Sequence, residues 1–219
     1  MSTPARFLDQ KFINRWNLFW LITVPVSAAI AIAMSRVDLS QAENVSFMIQ
    51  FSVRCSVALL YVAFASSALH VVFPSPFSRW LLRNRNMVGL SFAAAMGWQL
   101  LFILWLVGGH TQHYVAEVYL LSDAIEGVMG YAFLIAMVLT SFKFGRSRLT
   151  SQQWKLLHRS AIYYIWAYAW SVYWFELFYY DNPAPIDYVY YWGGFLAWGL
   201  RMCAWSKKQI RQSAAHSPA

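Results

Sequence analysis

The chain has 219 residues, of which 59% are hydrophobic and only 12% are charged, and its formal net charge is +8. This apolar fraction is larger than one soluble core would need, so the composition favours a membrane protein. The basic balance does not indicate a nucleic-acid partner. The Lys and Arg residues are scattered between apolar runs and do not form one basic face or tail.

Six apolar windows have roughly the length of a membrane-crossing helix, which is about 20 residues. They cover residues 17–35, 47–73, 87–109, 126–142, 154–180 and 188–205. The sequence therefore predicts an all-α fold, a polytopic membrane bundle of six transmembrane helices. Residues 1–16 are then a cytoplasmic N-terminal segment, residues 17–205 the transmembrane domain and residues 206–219 a basic cytoplasmic tail.

The distribution of charge predicts how the chain crosses the bilayer. All Lys and Arg residues except Arg36 and Arg54 lie in the N-terminal segment, in or beside the second and fourth gaps between windows, or near the C-terminus. All acidic residues except Asp9 lie on the opposite side or at its helix ends. Because positively charged loops stay in the cytoplasm, both termini are expected to be cytoplasmic.

Local signals mark several helix boundaries. Pro74 and Pro76 are expected to end the second helix, because proline lacks the backbone N–H and disfavours helix in the preceding residue. Thr150 and Gln153 have the spacing of a capping box, which predicts a helix start just before the fifth window.

The fifth window, residues 154–180, is interpreted as the helix around which the others are organised. It begins with a His-Arg pair and then carries a dense set of Tyr and Trp residues. Aromatic residues at membrane edges are typical of an interfacial belt, but this set continues into the interior of the helix. Helix packing explains it, and an aromatic cofactor pocket or an electron-transfer path is the alternative.

Two histidines, His70 and His158, are predicted to lie at the same depth near the cytoplasmic side. His70 is near the end of the second helix and His158 near the start of the fifth. Two imidazoles facing each other at one level are the axial ligands of a b-type haem. The alternative is that each ring is satisfied by a loop carbonyl or an acidic side chain.

The segment 154–159 (WKLLHR), the basic residues before it and segment 85–90 (RNMVGL) together resemble the ferric-reductase-like transmembrane family. The similarity covers roughly residues 51–174. In particular the chain resembles the haem-bearing membrane subunit of the bacterial periplasmic methionine sulfoxide reductase system. The resemblance implies a multi-pass protein of the bacterial inner membrane.

Members of this family carry electrons through haems held by histidines on the third and fifth helices, and the inner fifth-helix histidine matches His158. The other ligand positions match Gln99 and Ser171, which are weak haem ligands. The resemblance therefore implies a haem-less or haem-poor accessory or binding subunit, associated with another membrane or periplasmic protein. The alternative is an electron-transfer protein with one b-type haem on His70 and His158, working with a quinone or a partner protein.

Arg54 is a charged residue well inside a predicted helix. An unpaired arginine at the bilayer centre costs at least about 2.5 kcal/mol, so a partner is expected. Glu176 and Glu126 are the acids expected at a suitable depth, which predicts a structural ion pair. Alternatively, Arg54 binds an anionic group such as a haem propionate or a quinone head group.

His110, His113 and Glu117 form a possible divalent-metal site on the opposite side of the membrane. In an α-helix, offsets of three and four residues would place them on one face. The alternative is a solvated loop.

The sequence contains neither a P-loop nor the glycine pattern of a dinucleotide-binding fold, and it leaves no length for a soluble NADPH or flavin domain. An electron donor would therefore be a separate protein or a quinone, and a bound quinone or flavin stays open.

Overall fold

The computed structural model describes residues 7–180 and 182–216, with side chains up to Ser213. Within these ranges every regular element is helical. Six long helices make up the fold: α1 (Trp16–Met34), α2 (Ala42–Val72), α3 (Pro76–Gly109), α4 (Leu121–Ser141), α5 (Ser151–Phe178) and α6 (Pro185–His216). Each of the six predicted windows falls on one of these helices, and the all-α class is confirmed.

Consecutive long helices run in opposite directions, as the contacts along their lengths demonstrate. In α4 and α5, Tyr164 donates to the Glu126 carbonyl, whereas His158 contacts Thr140, so these two helices are antiparallel. Helices α2 and α6 instead run parallel. Arg54, in the first half of α2, meets Asp187 in the first turn of α6, and Lys207 reaches the carbonyl of Val72 at the end of α2.

Four of the described helices, α1 to α4, are long and apolar enough to cross a membrane. The chain is therefore a multi-pass membrane protein. Helices α5 and α6 have 28 and 32 residues, which exceeds the length of about 20 that a crossing requires. Their Tyr and Trp residues each carry a polar atom, and neither helix reaches the apolarity of the first four.

The outward faces of the bundle are apolar. Leu101, Leu104 and Ile135 are each more than half exposed, as is Leu196. A soluble protein rarely exposes such a continuous apolar surface. This surface contacts the lipid bilayer.

Helix α2, and not α5, is at the centre of the bundle. It packs against α1, α3, α5 and α6. In the described part of the chain, it contributes more buried residues than any other helix. Ser52, Ser56 and Ser66 are fully buried, and each hydroxyl donates to the carbonyl three residues earlier. Small polar residues satisfied in this way let neighbouring helices approach closely. The expectation that residues 154–180 form the organising helix is wrong.

Side-chain caps define two helix starts. The Thr150 hydroxyl accepts from the Gln153 N–H, and the Gln153 side chain accepts from the Thr150 N–H, which confirms the predicted capping box. Ser75 and Ser78 form a second box, and Pro76 occupies the first turn of α3. This cap starts α3 well before residue 87.

Helix α6 covers Pro185–His216 and so continues through the basic segment after residue 205.

The two ends of the bundle differ in charge. At the end where α1, α3 and α5 begin, which we call the basic end, Asp9 is the only acidic residue in the described part of the chain, and it pairs with Arg83. The opposite end, which we call the acidic end, carries the other described acidic residues. Asp181 is outside the described residues.

Candidate functional site

His158 lies at the basic end and is held by α4. Its Nε2 is 2.9 Å from the Thr140 hydroxyl oxygen, and its ring packs on Trp154 with centroids 4.3 Å apart. The Thr140 hydroxyl oxygen is also 2.6 Å from the Ala136 carbonyl oxygen, so this hydroxyl joins His158 to the end of α4.

His70 also contacts a hydroxyl group. Its Nδ1 is 3.1 Å from the Ser78 hydroxyl oxygen, and that hydroxyl donates to the Phe73 carbonyl at 2.9 Å. His70 thus belongs to the turn that joins α2 to α3, and the neighbouring Ser75 caps that turn.

Both histidines lie at the basic end, on helices that contact each other. The two rings use different nitrogens for their hydroxyl contacts, Nδ1 in His70 and Nε2 in His158. Haem iron binds an unprotonated imidazole nitrogen, so ligation through Nε2 of His158 would require that ring to leave Thr140. Ligation by His70 and His158 stays a prediction from the sequence.

Gln99 and Ser171, which the sequence predicts as haem-ligand positions without histidine, both form hydrogen bonds within the protein. The Tyr131 hydroxyl on α4 donates to the Gln99 side-chain oxygen at 2.8 Å and approaches the Met96 carbonyl at 3.2 Å. The Ser171 hydroxyl donates to the Tyr168 carbonyl on its own helix at 2.9 Å. Gln99 therefore joins α3 to α4, and the Ser171 hydroxyl is satisfied within α5.

Arg54 forms an ion pair, but with a different acid from those expected. Its Nη2 is 3.1 Å from the Asp187 carboxylate, whose side chain is only 1% exposed, and Glu176 and Glu126 are not its partners. Asp187 also accepts the backbone N–H of Ala184 at 2.9 Å. The Tyr190 hydroxyl donates to the Arg54 carbonyl at 2.6 Å. These contacts hold the start of α6 against α2, and the Asp187 carboxylate pairs with the positive charge of Arg54.

The possible metal residues of the acidic end make separate contacts. His110 Nε2 is 3.2 Å from the Leu39 carbonyl, and His113 Nδ1 is 4.0 Å from the Glu43 carboxylate. Glu117 lies in a π-helix that follows the short helix Thr111–His113, and not in the continuous α-helix that the predicted alignment assumed. Among the described residues no three His, Cys, Asp or Glu side chains form a metal-binding group, and the metal site stays a prediction.

Arg201 makes contacts that the sequence does not predict, since its position near the C-terminus groups it with the basic tail. It lies within α6, and its guanidinium carbon is 4.3 Å from the Phe64 ring centroid and 4.5 Å from that of Tyr163. Its Nη1 donates to the Phe64 carbonyl at 3.0 Å. The signal available in the sequence was the same as for Arg54, a charged residue inside an apolar window.

The aromatic set of α5 mostly joins helices. The Trp166 indole donates to the Gly194 carbonyl at 3.1 Å, and the Trp170 indole donates to the Tyr191 carbonyl at 3.2 Å. Phe64 stacks on Trp166 with centroids 5.2 Å apart. These contacts support the packing interpretation of the aromatic residues, since the two indole donors are satisfied by α6.

In comparisons with known proteins, no family model, no curated protein and no solved structure matches the chain.

Proposed function

We propose that the chain is a bacterial inner-membrane protein in which all six long helices cross the bilayer and both termini are cytoplasmic. Two observations support this topology. The six helices alternate in direction, and most of the described Lys and Arg residues lie at the end where α1 begins and α6 ends. Positively charged segments stay on the cytoplasmic side, so the basic end would face the cytoplasm.

Within this topology, the proposed function is that of a haem-less or haem-poor accessory subunit of a membrane complex, with a ferric-reductase-like frame. The observation that carries the proposal is the hydrogen bond from Tyr131 to Gln99. It joins two helices at the position where the family resemblance would require a haem ligand. The contact between His158 Nε2 and the Thr140 hydroxyl supports the same conclusion at the basic end.

Cysteine labelling tests the topology. The natural Cys55 and Cys203 are first replaced by serine, and single cysteines are then introduced as Glu117→Cys, Asn182→Cys or Lys208→Cys. A membrane-impermeant thiol reagent applied to intact cells is expected to label the first two and to spare the third. If only α1 to α4 crossed, Asn182→Cys would be protected as well, and the six-helix arrangement would be wrong.

The proposal that the protein is haem-less or haem-poor is tested by asking whether the protein accumulates in the membrane without haem. The tagged chain is expressed in a host that depends on supplied haem, with and without that supply. We expect equal amounts of folded protein in the membrane under both conditions, because the ligand positions are satisfied by protein groups. A loss of most of the folded protein without haem would contradict the proposal.

The second candidate is an electron-transfer protein with one b-type haem between His70 and His158, acting with a quinone or a partner protein. The location of both rings at the basic end favours it, as does the use of Nδ1, and not Nε2, for the contact of His70 with Ser78. Haem binding would require His158 to release Thr140. The test is His158→Ala: this candidate requires a loss of bound haem, and haem content that survives the substitution would eliminate it.

A further inference from the structure

Two arginines from different helices lie beside Tyr163 at the basic end, and we call them the arginine cluster: Arg159 on α5, one turn before Tyr163, and Arg201 on α6, whose guanidinium carbon is 4.5 Å from the Tyr163 ring centroid. In the described part of the chain, neither of the two forms a salt bridge with a carboxylate. Positive charges that have no carboxylate partner attract a bound anion.

Arg201 is anchored for such a role. The rings of Phe64 and Tyr163 hold its guanidinium at 4.3 and 4.5 Å, and one N–H is used by the Phe64 carbonyl. A guanidinium has five N–H donors. The direction in which the remaining donors point is therefore fixed by packing before any ligand binds, which lowers the entropy cost of binding.

A surface groove of about 490 Å³ adjoins the cluster. It is lined by Leu156, Arg159, Ser160 and Tyr163, which lie along one face of α5. Tyr163 is shared between the groove and Arg201, so the two features are continuous. Leu156 and the Tyr163 ring give the groove an apolar wall, while Arg159 and the Ser160 hydroxyl supply hydrogen-bond donors.

We infer that the arginine cluster and this groove bind the phosphate group of an anionic phospholipid, with the acyl chains along the apolar wall. Phosphate is the anion that guanidinium groups recognise through paired hydrogen bonds. The lipid origin is favoured because the cluster lies at the basic end of the bundle, which the proposed topology places at the cytoplasmic membrane surface, where phospholipid headgroups are located. Basic residues at that surface attract anionic lipids. The inference rests on the proposed topology, but not on whether the protein binds haem.

The experiment measures lipid binding to the detergent-purified full chain by native mass spectrometry. The probes are phosphatidylglycerol, cardiolipin and phosphatidylcholine at matched concentrations, and inorganic phosphate is tested separately as a competitor. We expect the two anionic lipids to bind and phosphatidylcholine to bind much more weakly. Inorganic phosphate at the same concentration is expected not to displace them. Equal binding of all three lipids, or full displacement by inorganic phosphate, would overturn the lipid assignment.

Substitutions localise the site. Arg159→Gln removes an exposed charge and is expected to weaken phosphatidylglycerol binding about fivefold, which corresponds to about 1 kcal/mol for one basic residue at an anionic surface. Arg201→Gln tests the arginine that is held between Phe64 and Tyr163. If the Arg201→Gln variant does not fold, the result with Arg159→Gln decides the test. Arg79→Gln is the matched control, since Arg79 is an exposed arginine of the basic end outside the cluster. If it weakens binding as much as Arg159→Gln, the lipid recognises a diffuse basic surface and the proposed site is wrong.

Discussion

The ion pair between Arg54 and Asp187 gives the most quantitative prediction. Asp187 is 1% exposed and the Arg54 side chain is 32% exposed, so the pair is intermediate between buried and surface pairs. Removing one partner of a buried pair costs about 3–5 kcal/mol, whereas an exposed pair contributes about 0–1 kcal/mol. For Asp187→Asn we therefore expect a loss of about 2 kcal/mol in the free energy of unfolding. The asparagine oxygen still accepts the Ala184 N–H, so the loss reports mainly the missing charge.

The assay is thermal unfolding of the detergent-purified protein. For a chain of this size, a loss of about 2 kcal/mol lowers the unfolding midpoint by roughly 4–8 °C. Glu176→Gln is the informative comparison, because Glu176 is an acid that the sequence predicts as the partner. It is expected to lower the midpoint much less, since no hydrogen bond joins it to Arg54 in the described part of the chain.

A double-mutant cycle tests whether the two residues act as a pair. Arg54→Met and Asp187→Asn are measured singly and together, and the double variant is expected to lose at least about 1 kcal/mol less than the sum of the single losses. Additive losses would refute the reasoning. A larger effect of Glu176→Gln than of Asp187→Asn would refute it as well.

Three further substitutions test the contacts between helices, each by thermal unfolding. Gly194→Ala places a Cβ 2.7 Å from side-chain atoms of two neighbouring helices, so we expect a loss of about 1–3 kcal/mol in the free energy of unfolding. Gly193→Ala is the control, because its Cβ has its nearest contact at 3.6 Å and the substitution is expected to be nearly neutral. Equal effects of the two substitutions would contradict this packing. Thr140→Val removes the hydroxyl that contacts His158, with an expected loss of about 1 kcal/mol, and no change would contradict a hydrogen bond between the two side chains. Tyr131→Phe deletes the hydroxyl that joins α4 to α3, again with an expected loss of about 1 kcal/mol, and an unchanged midpoint would count against that contact.

Features that depend on neighbouring residues could be predicted from the sequence. The capping box of Thr150 and Gln153 is an example, because both partners lie within one turn. The six helical windows are another, since the length and apolarity of a window are local properties. The helix starts were less accurate where a cap extended the helix beyond its apolar part, as at Pro76.

Contacts between distant residues could be predicted in kind but not in identity. The need of Arg54 for an acid follows from its position in an apolar helix, but Asp187 lies 133 residues away. Which acid is nearest depends on the parallel packing of α2 and α6, and that packing leaves no local signal. The position of Arg201 between Phe64 and Tyr163 depends on the same packing.

The predicted metal site at the acidic end depends on the type of helix that its residues form. The expected alignment of His110, His113 and Glu117 assumed an α-helix, whereas Tyr114–Val118 forms a π-helix. A π-helix has a longer hydrogen-bonded turn, and composition alone rarely reveals it.

The haem content of the purified protein tests the central claim most directly. The measurement is the absorption spectrum of the detergent-purified chain before and after reduction with dithionite, related to protein concentration. The account predicts a Soret band far below one haem per chain, because Gln99 is engaged by Tyr131 and Nε2 of His158 is engaged by Thr140. A Soret band of full strength with two-histidine character would contradict it.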